Sequence, residues 1–277
     1  MQTPRGSGSS TWRSFLDSSE PSRVIRRQNK NMSRKVERIG YLIGILLLVS
    51  GLIHVGILVL SGASWMGPLS LRKPATFGLS FGLTLLTITW VSSFLRLGNR
   101  ARTLLLSVFA SACVLETALI SLQAWRGVPS HFNIETPFDA FVTQMLAAGG
   151  VILVAIIAAL TFISFRATPA TPAGMRVAIR TGLAVLLGAM VSGALMIARG
   201  MSLVFGGNAQ AAYLTGGSLK PTHAVTMHAV LLLPALAWLL SLTEWSEPRQ
   251  LRVILVAATG YVVFAAAVAA GNLAGVF

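Results

Sequence analysis

Four ionisable side chains stand within long apolar stretches of this sequence: His54, Glu116, Arg199 and His228. A charged residue at the centre of a membrane costs about 2.5–3.5 kcal/mol on insertion scales, so such residues usually mark a ligand, ion or proton site. Two histidines on facing helices could be the axial ligands of a haem b. Together with Glu116, the same histidines could instead hold zinc or iron and leave one position open for water or substrate.

Glu116 and Arg199 are the candidate catalytic residues of such a site. Because each would be costly alone, we expect them to pair or to share a hydrogen-bonded cavity. A purely structural ion pair between the third and fifth helices is the alternative. His54 and His228 likewise have a structural alternative, since intramembrane histidines also form hydrogen bonds between helices.

Further polar residues lie at or near the same depth. Gln144 falls at the depth of His228, and Gln123 follows Glu116 by seven residues, so Gln123 and Glu116 project from one helix face. His223 precedes His228 by five residues, about 140° around a helix, so the two cannot meet one ion without distortion. We therefore expect His223 at the water interface, where it could orient a substrate or a haem propionate.

Basic residues near one end of the helices could neutralise the propionates of a haem, namely Arg72, Lys73, Arg126, Arg199 and Lys220.

The polar segment 126–135 contains His131 and could act as a lid or serve only as a connection. A stripe of hydroxyl side chains follows one helix, at Thr76, Ser80, Thr84 and Thr87. Hydrogen bonds to carbonyls of their own helix explain such a stripe, and a narrow hydrated path is the alternative.

The composition places these residues in an integral membrane protein. The chain of 277 residues is 54% hydrophobic and 11% charged, with a mean hydropathy of +0.73, whereas soluble domains carry roughly 25% charged residues. The single cysteine, Cys113, excludes a disulfide within the chain and is expected to be a packing residue. Phosphate-loop, dinucleotide-binding and HExxH motifs are absent from the sequence.

Seven apolar runs are long enough to cross about 30 Å of hydrocarbon as helices. They fall at 39–61, 74–96, 102–125, 137–164, 177–205, 221–243 and 250–276. Pro74, Pro137 and Pro221 stand at the first helical position of three runs, and Thr136 with Asp139 predicts a capped start. The sequence therefore predicts an all-α integral membrane fold, a seven-transmembrane-helix bundle spanning residues 39–277.

Two glycine pairs predict close helix contacts, because glycine lets helix backbones approach each other. They are Gly40 with Gly44 and Gly78 with Gly82. The same spacing is compatible with a homo-oligomer. Pro234 removes one backbone hydrogen bond in the sixth run and is expected to bend that helix.

The net charge of +14 is unevenly distributed along the chain. Nine of the 22 Lys and Arg residues precede residue 39, so residues 1–38 are predicted to be a disordered cytoplasmic tail that attracts anionic lipid headgroups. No regular platform of interleaved aromatic residues accompanies these charges, which argues against nucleic acid as a partner. Eight further arginines flank the same side, at positions 96, 100, 102, 166, 176, 180, 249 and 252. This asymmetry predicts an N-in, C-out orientation in a bacterial plasma (inner) membrane.

Two segments resemble a group of bacterial multispanning membrane proteins. The first is Ser130-His131-Phe132-Asn133 followed by Thr136-Pro137-Phe138-Asp139, and the second runs from Gly216 through His223 and His228 to Leu233-Pro234. The group has Asp-Leu-Arg where this chain has Ser218-Leu219-Lys220, and a glutamine in place of Leu231. The resemblance covers roughly residues 123–240 and carries no activity, so it implies the place of a site and not its chemistry.

The polar residues lead to three functional hypotheses. The first is an intramembrane His/Glu/Arg site in the outer half of the bundle, which binds haem b or a divalent metal, zinc or iron, in a redox role. The second is a metal-dependent membrane hydrolase acting on lipid-like substrates. The third is a proton-coupled small-solute permease, in which Glu116, Arg199 and the histidines relay protons or substrate. Whether the protein is an enzyme stays open at this stage.

Overall fold

The computed structural model of the chain describes residues 21–65, 67, 69–166, 171–215 and 217–275, and all regular structure within them is helical. Seven of the eight helices in this part are long and apolar enough to cross a membrane, and the sixth is short. The helices are α1 (Pro21–Leu60), α2 (Arg72–Ser92), α3 (Asn99–Trp125), α4 (Pro137–Ser164), α5 (Ala173–Phe205), α6 (Ala209–Thr215), α7 (Lys220–Ser241) and α8 (Glu247–Leu273). The predicted all-helical, multi-pass membrane class is confirmed.

Local sequence signals set the helix ends. The Thr136 hydroxyl accepts a hydrogen bond from the Asp139 backbone N–H at 3.1 Å, and Pro137 occupies the first turn, so the predicted cap of α4 is confirmed. Glycines in the left-handed region follow α1 and α3, with φ of 62° at Gly62 and 68° at Gly127. Helix α6 lies in a connection where the sequence analysis placed no helix.

The first helix begins earlier than the sequence analysis placed it. It starts at Pro21, so the part of the predicted disordered tail from 21 to 38 is helical, whereas residues 1–20 lie outside the described residues, as do Gly216 and residue 276. Arg, Lys, Gln and Glu are good helix formers, and the stretch from 22 to 38 contains neither glycine nor proline. Continuation from the membrane-spanning part of α1 extends the helix at little extra cost, because nucleation has already occurred.

The bundle consists of two three-helix groups joined by α4. Helices α1, α2 and α3 pack on one another, and α5 packs on α7 and α8, while α4 contacts both α3 and α5. Only a small contact joins α2 directly to α7. The outward face of α1 is apolar, with Leu46 58% exposed and Leu52 59% exposed, as expected for a surface in contact with lipid.

The closest helix contact joins α1 to α2 through glycines. A Cβ atom added at Gly82 would lie 2.7 Å from the carbonyl oxygen of Gly44, and one added at Gly78 would lie 2.7 Å from the backbone nitrogen of Gly51. These separations are shorter than a van der Waals contact, so only glycine fits. The close helix approach predicted from the glycine pairs is confirmed.

The connections differ in length between the two faces of the bundle. Residues 61–71, 126–136 and 206–219 connect helices at one face, here called the long-loop face, and 93–98, 165–172 and 242–246 at the other, the short-loop face. The main apolar core fills the half nearer the short-loop face and includes Leu85, Phe109, Ile157, Leu183 and Leu233. Buried polar side chains such as His54, Glu116 and Gln123 lie in the other half, where the sequence analysis placed the site.

Candidate functional site

His54 is buried between α1 and the end of α3, and both of its ring nitrogens are hydrogen-bonded. Nδ1 lies 2.8 Å from the Ser50 carbonyl oxygen, and the Trp125 indole N–H donates to Nε2 at 3.1 Å. A carbonyl can only accept and an indole N–H can only donate, so Nδ1 carries the proton and the ring is neutral. A metal or haem iron at Nε2 would have to displace Trp125.

His228 is exposed on α7 and lies across a crevice from α2. Its Nδ1 is 2.6 Å from the Ala224 carbonyl oxygen, one turn earlier in α7. The ring lines a crevice of about 120 Å³ between α2 and α7, together with Ser80, Thr84 and Thr87. The structure therefore brings His228 to the hydroxyl stripe of α2 and does not bring it to His54.

The candidate catalytic residues Glu116 and Arg199 are not paired. Glu116 is 4% exposed, and its Oε1 atom has no hydrogen-bond partner among the described residues. Arg199 is exposed at the end of α5 and donates a hydrogen bond to the Ser218 hydroxyl at 3.3 Å. The expected ion pair is not formed, because Glu116 is buried on α3 whereas Arg199 is exposed on α5, and α4 packs between these two helices.

Two further site candidates lie elsewhere than expected. Gln144 is exposed on α4 and does not face the buried polar residues. His223 was expected at the water interface, but it is partly buried and its Nδ1 lies 2.8 Å from the Ala189 carbonyl oxygen of α5. Small residues on α5 make room for the ring: a Cβ at Gly193 would lie 3.3 Å from its Cε1 atom.

Gln123 and Arg126 belong to a hydrogen-bonded network around Asp139. The Asp139 carboxylate accepts from the Gln123 amide at 2.8 Å, from Arg126 at 2.6 Å and from the Thr136 hydroxyl at 2.7 Å. Arg126 also donates to the Gln123 side-chain oxygen. From the sequence alone, Asp139 was expected only to take part in the cap of α4. A further role is indicated by its position at the start of α4, next to the end of α3.

The segment from Ser130 to Asn133 inserts into the bundle. Phe132 has φ of 66°, uncommon for a residue with a side chain, and its ring packs on Gly200 of α5 and near Ala212 of α6. The Asn133 side chain is fully buried, and its backbone carbonyl accepts from the Thr143 hydroxyl at 2.8 Å. These residues therefore connect α3 to α4 and also pack between helices, and a role as a lid stays a prediction.

His131 lies beside a cluster of basic residues. Its ring centroid is 5.9 Å from that of Phe77, and burial together with the nearby Lys73 ammonium lowers the pKa of His131 to about 3. Lys73 also interacts electrostatically with Arg72 and Lys220. We call Arg72, Lys73 and Lys220 the cationic cluster. It joins the starts of α2 and α7, neither of which has a capping side chain.

Acidic residues are scarce around the cationic cluster. On the long-loop face the sequence has two, Glu135 and Asp139, and Asp139 is bonded to Arg126. Glu135 interacts with Tyr213, whose pKa is raised by burial and by the charges of Glu135 and Asp139. No ion pair involving the cluster occurs within the described residues. An anion would therefore meet positive charge and two helix N-termini at one place.

The side chains predicted to bind a metal or haem are not gathered at one place in the described structure. Within residues 21–275, apart from those left undescribed, no three His, Cys, Asp or Glu side chains come together to hold a metal. Cys113 is buried in the apolar core, as expected of a packing residue. Haem, zinc or iron binding at His54, His228 and Glu116 therefore stays a prediction.

Comparison with known proteins adds no identity. The chain has no significant match among protein-family models, curated proteins or solved structures. The function must therefore be argued from the site itself.

Proposed function

We propose that this protein is a multi-pass carrier of a bacterial plasma membrane, which binds a small anionic solute at the cationic cluster and passes it into the crevice between α2 and α7. In the proposed orientation the N-terminus is cytoplasmic and the C-terminus external, so the long-loop face is outside. This proposal narrows the permease hypothesis to solutes that carry a negative charge.

The charge distribution supports the orientation. Apart from the first helix, eight arginines flank the short-loop face, whereas five basic residues lie at or near the long-loop face. An excess of Lys and Arg in short connections is typical of the cytoplasmic side. The test introduces one exposed cysteine in the Cys113→Ala background, Ala63→Cys or Glu244→Cys. In whole cells a membrane-impermeant maleimide should label the first and not the second; the reverse result would invert the orientation.

The observation that carries the function is the cationic cluster itself. Lys73, Lys220 and Arg72 repel one another, and their side chains have no carboxylate partner among the described residues. Arg72 and Lys73 are half-buried, whereas Lys220 is exposed. Like charges held this close together are unfavourable unless a counter-charge is present. A bound anion would supply that charge, and the starts of α2 and α7 would contribute their helix dipoles.

The crevice offers a continuation from the cluster into the membrane. Lys73 and Lys220 stand at the starts of α2 and α7, the two helices that line it. Further along α2, Ser80 and Thr84 face His228 across the crevice, so polar groups continue below the charges. The contact between α2 and α7 is small, so the two three-helix groups could move against each other there with little loss of packing.

The decisive experiment measures anion binding to the purified protein in an uncharged detergent. Phosphate, sulfate and small carboxylates are titrated at constant ionic strength, with chloride as reference, and the unfolding midpoint is followed. We expect at least one of these anions to raise the midpoint of the wild type, since a ligand at one hundred times its Kd adds about 2.7 kcal/mol. The shift should be lost in Lys73→Gln/Lys220→Gln.

The matched control is Arg96→Gln/Arg100→Gln, which removes two exposed positive charges from the short-loop face. It should retain the anion effect. The proposal would be contradicted if the anion raised the unfolding midpoint equally in both double variants, or did not raise it in the wild type. Saturable uptake of the stabilising anion into proteoliposomes, slowed by the cluster variant, then separates a carrier from a receptor. If only anionic lipid stabilises the protein, the cluster binds headgroups instead.

The redox and hydrolase hypotheses are tested by other measurements. An absorption spectrum, oxidised and reduced, combined with elemental analysis of the same sample, would reveal haem or near-stoichiometric zinc or iron. A haem spectrum that disappears in His54→Ala/His228→Ala would restore the redox hypothesis. Bound metal without a haem spectrum would favour the hydrolase.

A further inference from the structure

Glu116 is a buried carboxyl group for which the surrounding helices provide little compensation. It lies near the middle of α3 and is 4% exposed, and no described residue donates a hydrogen bond to its Oε1 atom. Burying an ionised carboxylate without a partner is far more costly than burying the uncharged acid. The packed structure therefore accommodates the carboxylic acid form at the lowest free energy.

The carboxyl group reaches into α4 through a gap left by a glycine. It packs directly on Gly149, and a Cβ atom at that position would overlap the carboxyl oxygen. The next residue, Gly150, has no heavy atom within 4 Å of a Cβ added there. The close approach is therefore specific to Gly149, and it places Glu116 at the interface between α3 and α4.

Among the side chains that the structure describes, no counter-ion faces Glu116 from the helices packed around it. On α3 the nearest titratable group is the buried thiol of Cys113, one turn earlier. On α4 the acidic residue is Asp139, which is held by its own hydrogen bonds. The ionisable groups of α1 and α2 with described side chains are His54, which is bonded to Ser50 and Trp125, the basic residues at the start of α2, and, towards the short-loop face, Arg34, Lys35, Glu37, Arg38 and Tyr41. Arg199, the expected partner, is bonded to Ser218.

An apolar layer separates Glu116 from the polar network nearer the long-loop face. Ile120, Val142 and Leu146 form a buried cluster between α3 and α4. Gln123 lies seven residues beyond Glu116, about 10 Å along the helix axis. Beyond this layer, Gln123 and Asp139 lead to Arg126, whose side chain is 35% exposed. A proton could pass between Glu116 and the network only if this layer opened.

We propose that Glu116 is a proton-binding site, which holds a proton while α3 and α4 are packed and exchanges it when the layer of Ile120, Val142 and Leu146 opens. The site takes up and releases H⁺ at one carboxyl oxygen, without any other reactant. The proposal does not rest on anion binding at the cationic cluster, because the two sites share no residue. If both proposals hold, anion movement and proton movement could be coupled in one carrier.

Infrared difference spectroscopy of the full-length protein in lipid tests this proposal. The spectrum of Glu116→Gln is subtracted from that of the wild type at neutral pH, in H₂O and in D₂O. We expect one C=O stretching band of a protonated carboxylic acid that is lost in the variant and shifts in D₂O. A carboxylate band in its place would overturn the proposal. An acid band that does not shift in D₂O would show a sealed structural group and would also overturn it.

Two controls keep the result interpretable. Glutamine has nearly the shape of the protonated acid, so Glu116→Gln should fold, and wild-type protein labelled with isotopic glutamate identifies the band without any substitution. Enlarging the apolar layer by Val142→Leu should slow the D₂O shift, because opening then requires more displacement. An unchanged exchange rate in Val142→Leu would contradict the assigned route. The cluster variant Lys73→Gln/Lys220→Gln should leave the band unchanged, which separates this test from that of the anion site.

Discussion

The indole N–H of Trp125 donates to Nε2 of His54 across 3.1 Å and so joins the end of α3 to α1. With Nδ1 donating to Ser50, the ring of His54 has no free nitrogen. This arrangement makes His54 a structural link between two helices in the described structure. It also means that haem ligation at His54 would require a rearranged Trp125.

Removing this donor should destabilise the protein. In Trp125→Phe the aromatic contact remains, while Nε2 of a ring that is 7% exposed loses its partner. We expect a loss of about 1–2 kcal/mol, the cost of leaving a buried acceptor unsatisfied. Thermal unfolding in detergent measures it, with Trp238→Phe, an exposed tryptophan on α7, as control. Equal stability of the two variants would show that the hydrogen bond is not made in solution.

The network around Asp139 predicts a larger loss. Asp139→Ala deprives Gln123, which is fully buried, and Arg126 of their common acceptor. Breaking a buried charged pair by removing one partner costs about 3–5 kcal/mol, and we expect the lower end because Arg126 is partly exposed. Chemical unfolding of the purified protein would measure this. The exposed Glu135→Ala, on the same face, should change stability by less than about 0.5 kcal/mol.

The hydropathy of the sequence and the positions of its prolines were sufficient to predict the membrane-spanning helices. Seven apolar runs gave seven helices, and three starts marked by proline, at Pro74, Pro137 and Pro221, fall within two residues of the observed starts. The glycine pairs predicted the α1–α2 contact because close approach needs only the absence of a Cβ. The start of α1 was predicted too late because a basic polar segment was assumed to be disordered, although its residues favour helix.

The site was less predictable because depth along a helix does not give direction around it. His54, His228, Glu116 and Arg199 do lie in the half of the bundle predicted from depth. Their azimuths separate them, however: His54 faces Trp125, and His228 faces the crevice beside α2. Which helix faces meet depends on the order in which the helices pack. That order could not be predicted from a single sequence with no matching structure.

The pKa of His131 predicts a pH dependence of stability. Burial and Lys73 lower this pKa to about 3 from the ordinary 6.5, so between these values the unfolded chain binds a proton that the folded chain does not. Stability should therefore fall as the pH decreases from 6.5 towards 3, by at most about 1.4 kcal/mol per pH unit from this group. Above pH 6.5 the contribution should be constant.

Two variants test the assignment to His131. Unfolding free energy measured from pH 7.5 to about 4 should depend less on pH in His131→Gln than in the wild type. Lys73→Gln should weaken the dependence as well, because the pKa of His131 rises when the ammonium is removed. If the wild type and His131→Gln follow parallel curves, His131 is solvated in the folded protein and the wedged position of its loop is wrong.

The α1–α2 contact allows a matched pair of glycine substitutions. In Gly82→Ala the new Cβ would meet the Gly44 carbonyl and Leu48, so α1 and α2 must separate, and overpacking of this kind costs about 1–3 kcal/mol. In Gly56→Ala, on α1, no atom lies within 4 Å of the new Cβ, and the higher helix propensity of alanine should leave stability equal or raise it by about 0.5–1 kcal/mol. Unfolding midpoints of both variants give the comparison. If Gly82→Ala and Gly56→Ala changed the unfolding midpoint by the same amount, the glycine contact would not set the spacing of α1 and α2.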